Sequence, residues 1–438
     1  MTNALEMKAK LILNNILHLL MFVCFYLVML YEYFDFVVPL YATANNFVLS
    51  YGTTTICVGF VMLFALMVRL FVNKSISDFS YAISMFVAIT FAVPSIIMYQ
   101  FGNCTIFAPI YSLLFVYAIT SKYIVIPKFR IKTVKEKHKL PVLILLSIIM
   151  LIPFVLTYKF NINAKSFTFG SELYEARAAA KSAGNIFTSY LMGPLTKVVL
   201  PIAIILGIKE KKLWMSAIGI LLMLYIFAVN PHKALFLSIF LIVAFYFFDN
   251  YRSKAGLILS GILILIFTSL IVSATTGNIL AESIFVRRMF FLPVQICNYC
   301  FDFYDGNPIY LSHSVLSGFS DYPYLLEPAF LMGDYMYGKP GTSCNTGIIA
   351  DGFMNFGHIG SILFVMITAV IIKFIESLNI DKTYFGIVIA FVMLFLNSAL
   401  FTSMLTHGGL FLLLILIFFM KDTDNDKNMP HNHCSSAI

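Results

Sequence analysis

Two adjacent arginines, Arg287 and Arg288, lie in the apolar stretch SIFVRRMFFLPVQ. Arginine binds phosphate well because its planar guanidinium donates two hydrogen bonds at once. Consecutive residues of a helix point about 100° apart, so at most one of the two side chains can face a bound anion squarely. The pair therefore predicts an anion site, and the alternative is an arginine pair that anchors a helix at a membrane surface.

A second pair of cations, Arg177 and Lys181, lies in the segment GSELYEARAAAKSAG, which is typical of a short helix. Ser171 is a suitable N-cap, the alanines favour helix, and Gly184 is a natural end. Like charges four residues apart repel by roughly a few tenths of a kcal/mol, and an anion between them removes that cost. We expect either a site for a phosphate or an acidic sugar, or a solvated helix that contacts lipid headgroups.

Two further candidates lie at the ends of apolar runs. Lys233 follows Asn230, Pro231 and His232, and His407 lies in SMLTHGG. An ionisable group at the edge of hydrocarbon is costly and is a functional candidate by default. The alternative for Lys233 is a side chain that snorkels towards the headgroups.

The stretch FDFYDGNPIYLSHSVLSGFSDYPYLLEPAF combines aromatic rings with polar groups. Its carboxyl and imidazole side chains are Asp302, Asp305, His313, Asp321 and Glu327. Tyrosine and phenylalanine rings suit sugar faces, and Asp or His can hydrogen-bond sugar hydroxyls. Because aromatic residues also gather at membrane interfaces, this composition indicates a sugar-binding surface only in combination with other motifs.

The segment NTGIIADGFMNFGHIG, from Asn345 to Gly360, carries the most specific pattern. If it is helical, Asp351, Asn355 and His358 share one face. Its glycines allow another backbone or a substrate to approach closely. A carboxylate here can act as a general base or steer a hydroxyl nucleophile, and the alternative is a satisfied polar contact between helices.

The elements that position these groups are long apolar runs. Apolar residues make up 60% of the 438 positions and charged residues 11%, whereas a soluble domain has roughly 25% charged residues. The runs match a helix that crosses a hydrocarbon core about 30 Å thick, and they lack the alternation of barrel strands. The sequence thus predicts an all-α, polytopic transmembrane bundle of about twelve helices.

The predicted spans are about 11–31, 47–72, 79–99, 104–121, 141–158, 184–207, 213–229, 234–248, 255–273, 347–376, 383–401 and 404–420. The spans 213–229 and 234–248 are alternatively one long broken segment. With the N-terminus in the cytoplasm, the inner loops and the two termini hold 18 of the 29 Lys and Arg residues, as the positive-inside rule requires. Both termini are then cytoplasmic.

This orientation leaves two sizeable segments outside, 159–183 and 274–345, where we expect the chemistry because long loops in compact proteins are usually functional. Residues 1–420 are predicted to form one membrane-embedded domain, and 421–438 a disordered cytoplasmic tail. The net charge of +8 reflects mainly the inner loops, above all residues 122–139, so no nucleic-acid partner is expected.

Several kinds of site are not indicated. The sequence has no Gly-rich P-loop and no nucleotide-sugar domain, so a cytoplasmic nucleotide donor is not expected. Cys297 and Cys300 form a CxxC with neither a zinc partner pair nor a thioredoxin context. A disulfide among these cysteines, Cys104 and Cys344 is compatible with an oxidising compartment, and the pairing cannot be deduced.

The order of several motifs resembles the O-antigen or oligosaccharide repeat-unit polymerases, often called Wzy. The resemblance rests on an arrangement of about twelve helices together with four motifs in order. These motifs are RMFFLP from Arg288 to Pro293, YCFDFYDGNPIYLSHS, NTGIIADGFMNFGHIG and LTHGG. The resemblance covers roughly the C-terminal half. Upstream, Arg177 before a span and Lys233 at the start of another fit the family layout, although NPHKA departs from the small-residue context expected around Lys233.

The resemblance implies a membrane-embedded glycosyltransferase with a type C-like fold that needs no metal or other cofactor. The donor would be a growing glycan on undecaprenyl pyrophosphate, and the acceptor the non-reducing sugar of one lipid-linked repeat unit. The implied pyrophosphate ligands are Arg288, Arg177 and Lys233, with Arg287 and Lys181 in support. The implied groups that activate or orient the acceptor hydroxyl are Asp351, His313 and His407, and the implied sugar ligands are Asn345, Asn355, His358 and Asp305.

This interpretation places the enzyme in the bacterial inner membrane with its site on the periplasmic side, and a chain-length regulator is a candidate partner. Two other functions stay open. A flippase for lipid-linked sugars would place charges and broken helices near the bilayer midplane, whereas the charges singled out here lie towards the outer rim. An O-antigen ligase shares the architecture and the pyrophosphate chemistry but delivers the glycan to a lipid core.

Overall fold

The computed structural model describes residues 2–127, 133–162, 171–231, 239 and 242–420. Within these ranges the chain forms helices and no strand. Seven of the helices described are long and apolar enough to cross a membrane: Ile12–Asn45, Thr53–Val72, Asp78–Phe101, Glu136–Tyr158, Ile186–Lys209, Tyr251–Thr276 and Ile348–Ser377. The prediction of a helical membrane protein is confirmed.

Shorter apolar helices coincide with four more of the predicted spans. They are Phe107–Ile119, Leu213–Val229, Lys382–Asn397 and Gly409–Met420. Seven of the fifteen residues of the predicted span 234–248 lie outside the described residues, as do Lys233 and the tail 421–438. The count of twelve spans therefore stays a prediction.

Four of the described π-helical turns end two residues before a proline. The pairs are Tyr33–Val37 with Pro39, Ala88–Ala92 with Pro94, Leu195–Val199 with Pro201, and Ser283–Phe291 with Pro293. Proline has no N–H, and its ring clashes with the carbonyl four residues earlier in an α-helix. The wider π-helical turn moves that carbonyl aside. The chain thus passes each proline without ending the helix.

The first of these turns makes the first helix longer than the predicted span 11–31. The helix continues through Tyr33–Val37 to Asn45 and ends where Asn46 adopts a left-handed conformation, with φ of 54°. Asparagine tolerates that conformation better than most residues because its short side chain can hydrogen-bond locally. The added turns bring Tyr41 and Asn45 into the candidate site described below.

The described chain divides into two compact units. The first comprises Met1–Val125, Phe248–Lys373 and Val388–Thr406, and the second comprises Ile126–Phe247, Phe374–Ile387 and His407–Ile438. In the first unit the helix Asp78–Phe101 is buried along its length, and the helices Thr53–Val72, Phe107–Ile119 and Tyr251–Thr276 pack around it. In the second unit Ile186–Lys209 packs against Leu213–Val229 and Glu136–Tyr158. The single membrane-embedded domain expected over 1–420 stays a prediction.

The helix Ile348–Ser377 is interrupted at two residues. Phe356 has φ of −142° and ψ of 21°, and Gly357 has φ of 61° and ψ of −150°. Beyond this break the Ser361 hydroxyl donates to the carbonyl of Ile349 at 2.8 Å. In a continuous helix these two residues would lie roughly 18 Å apart along the axis. The chain therefore reverses at Phe356 and Gly357, and the short arm before the break folds back on the helix that follows it.

Close backbone contact between Gly352 and Gly360 accompanies this reversal. A Cβ atom on either glycine would clash with the carbonyl of the other. The glycines of this segment are expected to permit the close approach of another backbone. In the structure, the backbone that approaches them belongs to the same segment. The expectation that Asp351, Asn355 and His358 share one helical face is wrong for His358, because it follows the break.

Candidate functional site

Arg287 is buried, with 8% of its surface exposed. Its Nη1 donates to Oδ1 of Asn45 at 2.7 Å, and Nε and Nη2 donate to the Ser283 hydroxyl at 3.3 and 3.2 Å. The guanidinium carbon lies 4.0 Å from the ring centroid of Tyr41, within the range of a cation–π interaction. Burial lowers the pKa of Arg287, yet an arginine in a protein stays charged. Arg287 therefore joins the long segment 274–345 to the end of the first helix.

Arg288 is exposed, unlike its neighbour. Both residues lie in the π-helical turn Ser283–Phe291, where the N–H of Leu292 donates to the carbonyl of Arg287. The two side chains diverge, as expected for consecutive residues of a helix. Of the two arginines, Arg288 is therefore the one that an external ligand can reach.

The turn at Asn45 and Asn46 is held by residues that the sequence did not single out. Nε2 of Gln295 donates to the carbonyls of Asn45 and Asn46, each at 3.2 Å. Nδ2 of Asn45 donates to the hydroxyl of Tyr337 at 2.5 Å. Asparagines are common at the ends of apolar helices, so the sequence at Asn45 and Asn46 does not indicate that they bind other segments of the chain. These bonds attach two parts of the segment 274–345, one at Gln295 and one at Tyr337, to the turn at Asn45 and Asn46.

Asp351 is buried, with 5% of its surface exposed, and both of its carboxylate oxygens accept hydrogen bonds. Oδ2 accepts from the N–H of Leu400 at 2.7 Å, and Oδ1 accepts from Nδ2 of Asn355 at 3.1 Å. A buried carboxylate needs such partners because desolvation of an unpaired charge is very costly. Asp351 thus ties the reversing segment to the turn before Leu400–Met404.

Asn355 in turn holds the loop that carries His313. Its Oδ1 accepts from the N–H of Leu311 at 2.7 Å, and its carbonyl accepts from the N–H of Tyr310 at 3.2 Å. Tyr310 and Leu311 have φ of 49° and 60°, a conformation that costs roughly 1–2 kcal/mol for each residue that is not glycine. Strain of this kind persists only where the surroundings impose it. Asp351 and Asn355 are therefore brought together with this loop.

His358 is placed elsewhere in the first unit. Its Nδ1 lies 2.7 Å from the Tyr111 hydroxyl, and its ring centroid lies 4.2 Å from that of Phe107. Both partners belong to the helix Phe107–Ile119. His358 therefore contacts that helix, and it is not grouped with Asp351.

An aromatic cluster covers the middle of the segment 274–345. Its rings are Tyr299, Phe303, Tyr304, Tyr322, Tyr324 and Tyr335, with centroid distances between 4.9 and 6.1 Å. The His313 ring contacts Tyr322 at 4.9 Å, and the Tyr335 hydroxyl donates to Asp302 at 2.5 Å. Burial, followed by the neighbouring Tyr324, raises the pKa of Tyr322 to about 12. The Tyr322 hydroxyl therefore remains a neutral hydrogen-bonding group at physiological pH.

Several predicted polar ligands lie at the surface. His313, Asp305 and Asn345 are exposed. The backbone carbonyl of Asp305 accepts from Asn307, and the side chain of Asn345 accepts from the Ser343 hydroxyl at 3.3 Å. The carboxylate of Asp305 and the ring of His313 are thus open to a ligand beside the aromatic cluster.

Two further predicted cations, Arg177 and Lys181, belong to the second unit. The helix expected around Arg177 and Lys181 is confirmed as Ser171–Ala183, and both side chains are exposed. The opposite face buries Ala176 and Ala180, and the Tyr158 hydroxyl donates to the carbonyl of Ala180 at 3.2 Å. Arg177 and Lys181 therefore form a charged face on a helix that is anchored by its alanines.

His407, also in the second unit, is half-buried and precedes Gly408, which has φ of 85°. The backbone of Gly408 lies against Pro194, so a Cβ there would crowd the proline. The glycine in LTHGG thus serves a close helix approach as well as a left-handed turn. Whether His407 also contacts a substrate stays a prediction.

The cysteines of the first unit are free thiols. Cys104, Cys297, Cys300 and Cys344 are buried and unpaired with one another. Burial raises the pKa of Cys344 to about 11 and that of Cys104 to about 12. Among the described residues, no group of three or more His, Cys, Asp or Glu side chains is arranged to hold a metal ion.

No family model, curated protein or solved structure matches this chain.

Proposed function

We propose that this protein is a glycosyltransferase that polymerises lipid-linked oligosaccharide repeat units. The observation that carries the proposal is the π-helical turn Ser283–Phe291, which buries Arg287 and exposes Arg288. This turn leads through Leu292–Phe303 directly into the aromatic cluster. The arginine that we propose as the phosphate ligand and two rings of the aromatic cluster, Tyr299 and Phe303, thus lie on one continuous helix.

The chemistry assigned to these groups is glycosyl transfer from undecaprenyl pyrophosphate. The bond between the anomeric carbon and the pyrophosphate oxygen breaks, and its electron pair leaves with the pyrophosphate. An acceptor hydroxyl forms the new bond to that carbon, and its proton passes to a general base. Arg288 stabilises the charge that develops on the departing pyrophosphate.

The structure changes the roles proposed for three residues. Both oxygens of Asp351 accept hydrogen bonds within the protein, so we assign it a positioning role through Asn355. His313 is exposed beside Tyr322 and on the loop held by Asn355, so it becomes the first candidate for the general base. Asp305 and Asn345 are candidate sugar ligands, and His358 is reassigned to helix packing against Phe107 and Tyr111.

The proposed setting is the bacterial inner membrane, with the segment 274–345 on the periplasmic side. This orientation follows from the distribution of Lys and Arg in the loops. The donor and the acceptor are both presented by lipids in the same leaflet, and a chain-length regulator is the expected protein partner.

One observation favours a flippase of lipid-linked oligosaccharides as a second candidate. Lys197 lies near the middle of the 24-residue helix Ile186–Lys209, within the π-helical turn Leu195–Val199. An ionisable residue at the middle of a span is a functional candidate by default, and transporters place their substrate and ion sites near the bilayer midplane.

The deciding experiment uses the purified full-length chain in liposomes with one lipid-linked repeat unit. A ladder of longer lipid-linked glycans is the expected product. Transbilayer movement of the lipid without a ladder would overturn the polymerase in favour of the flippase. Transfer to an added lipid core, with no ladder in its absence, would identify a ligase.

A further inference from the structure

A cavity of about 640 Å³ lies in the first unit between the ends of two apolar helices, Thr53–Val72 and Phe107–Ile119. Its polar lining includes Asn73, Ser75 and Ser121. The charged residues in its lining are Arg69 and Lys122, and no Asp or Glu is among them. The cavity therefore carries two positive charges that no lining carboxylate neutralises.

Arg69 is held in place by neutral groups. Its Nε donates to the Thr120 hydroxyl at 2.6 Å, and its guanidinium carbon lies 5.0 Å from the ring centroid of Tyr117. The Thr120 hydroxyl donates in turn to the carbonyl of Val116 at 2.7 Å. The guanidinium is thus oriented before any ligand arrives, and its other N–H groups remain for a planar, two-point contact with an oxyanion.

Lys122 supplies the second charge from the loop that follows Phe107–Ile119. It is exposed, and its ammonium lies 5.2 Å from the ring centroid of Tyr123. Neither Arg69 nor Lys122 forms an ion pair with a carboxylate in the part of the chain that the structure describes. Two cations without acidic partners are favourable only where an anion or water solvates them.

The remaining walls of the cavity are aromatic and aliphatic. They are formed by Tyr117, Tyr123, Leu114, Ala118, Ile124 and Met366. The cavity lies where two apolar helices end, and in a membrane the ends of such helices are at the level of the lipid headgroups. This combination suits an amphipathic ligand with a phosphate at one end.

The cavity is separate from the candidate functional site. At the opposite end of Phe107–Ile119, the N–H of Thr105 donates to Oδ1 of Asn298 at 2.8 Å. Asn298 belongs to Leu292–Phe303, which follows the turn that carries Arg288. The cavity and the contact at Asn298 thus lie at opposite ends of the 13-residue helix Phe107–Ile119, beside the helix Thr53–Val72.

We infer that this cavity binds a phosphate group through Arg69 and Lys122, with the headgroup of an anionic phospholipid or free inorganic phosphate as its source. The guanidinium and the ammonium contact the phosphate oxygens. The Ser75 hydroxyl donates to Oδ1 of Asn73 at 2.7 Å, which leaves the amide nitrogen of Asn73 to donate a neutral hydrogen bond to the phosphate. An acyl chain of a lipid ligand would run along the apolar wall.

Native mass spectrometry of the purified full-length protein, incubated with phosphatidylglycerol or with phosphatidylcholine, tests the lipid source. Thermal unfolding with and without inorganic phosphate tests the free ion. The variants are Lys122→Gln and the double variant Arg69→Gln with Lys122→Gln. Lys74→Gln is the matched control, because Lys74 is an exposed cation between two lining residues and does not itself line the cavity.

We expect one retained phosphatidylglycerol in preference to phosphatidylcholine, a roughly tenfold weaker retention in the double variant, and unchanged retention in the control. Lys122→Gln leaves the contact of Arg69 with Thr120 intact, so it should weaken retention in a protein that unfolds normally. Stabilisation by inorganic phosphate that the double variant loses, without selective lipid retention, would assign the site to the free ion. Equal retention of both lipids with no phosphate effect, or retention in the double variant equal to that in the control, would overturn the proposal.

Discussion

Asn355 holds Leu311 in a left-handed conformation: its side-chain carbonyl accepts the N–H of Leu311 at 2.7 Å, where Leu311 has φ of 60°. The amide nitrogen of the same side chain donates to Oδ1 of Asp351 at 3.1 Å. A single side chain therefore couples a buried carboxylate to a strained loop. His313 follows Leu311 by two residues, so this coupling sets where the proposed general base lies.

Asn355→Leu should release that loop. The substitution removes the partner of the Leu311 N–H and one partner of the Asp351 carboxylate, at a cost of roughly 2–4 kcal/mol in the free energy of unfolding. The loss of protection should be largest at the Leu311 amide in hydrogen exchange, and glycan elongation should fall with it. Asn307→Ala, an exposed asparagine nearby, is the control and should change stability by less than about 0.5 kcal/mol. Unchanged exchange at Leu311 would remove Asn355 from this role.

Arg288→Ala should abolish chain growth, with a loss of roughly 100-fold or more, while the protein still inserts and unfolds normally. Arg288→Lys should restore only part of the activity because an ammonium cannot reproduce two parallel hydrogen bonds. Lys339→Ala removes another exposed cation of the same segment and should leave elongation unchanged. Product of normal length from Arg288→Ala would exclude Arg288 from the site.

Arg287→Gln should act on stability and not directly on the chemistry. The variant loses the contacts of the guanidinium with Asn45, Ser283 and Tyr41, which should lower the free energy of unfolding by roughly 2–4 kcal/mol. A double-mutant cycle with Asn45→Ala should give a coupling energy of about 1–2 kcal/mol. Additive effects of the two substitutions, measured by denaturant unfolding in detergent, would contradict the contact.

The helical class was predictable from composition because a bilayer leaves every spanning segment little choice but to satisfy its own backbone. The prolines at positions 39, 94, 201 and 293 signal a local departure from α-helix, yet they do not say whether the chain bends, stops or widens. In the structure, the helix changes to the wider π-helical form before each of these prolines and continues. The bonds of Arg287 with Asn45 were not predictable, because they join residues 242 positions apart.

The reversal at Gly357 shows a second limit of the sequence. Asp351, Asn355 and His358 have the spacing of one helical face, and nothing in that spacing distinguishes one helix from two. The glycines at 352, 357 and 360 permit the reversal. However, glycines at such positions also permit close packing between neighbouring helices, so they do not predict the reversal. Only the backbone angles at Phe356 and Gly357 separate the two cases.

Cys344 should react with a maleimide in a pH-dependent way that reports its burial. Burial raises its pKa to about 11, whereas a thiol in an unfolded chain titrates near 8.5. The thiolate is the reactive form, so labelling of the folded protein should still accelerate between about pH 9 and pH 11. Over the same interval the raised pKa means that the folded state holds the proton more tightly, so stability falls as the pH rises.

The reference for this labelling is the protein unfolded in detergent, in which the rate should level off near pH 9. Peptide mapping by mass spectrometry identifies the labelled cysteine without further substitutions. Labelling of Cys344 only after reduction would show a disulfide and contradict the free thiol found in the structure.

Gly352→Ala separates the reversed chain from a continuous helix by the sign of its effect. In a continuous helix, alanine is favoured over glycine by roughly 1 kcal/mol, so the substitution would stabilise the protein. In the structure a Cβ on Gly352 meets the backbone carbonyl of Gly360, and overpacking of this kind costs about 1–3 kcal/mol. Gly318→Ala is the matched control, because a Cβ there meets nothing within 4 Å. We expect denaturant unfolding in detergent to show a loss of stability for Gly352→Ala and little change for Gly318→Ala, and a gain for Gly352→Ala would overturn the reversal and with it the placement of Asn355 against Leu311.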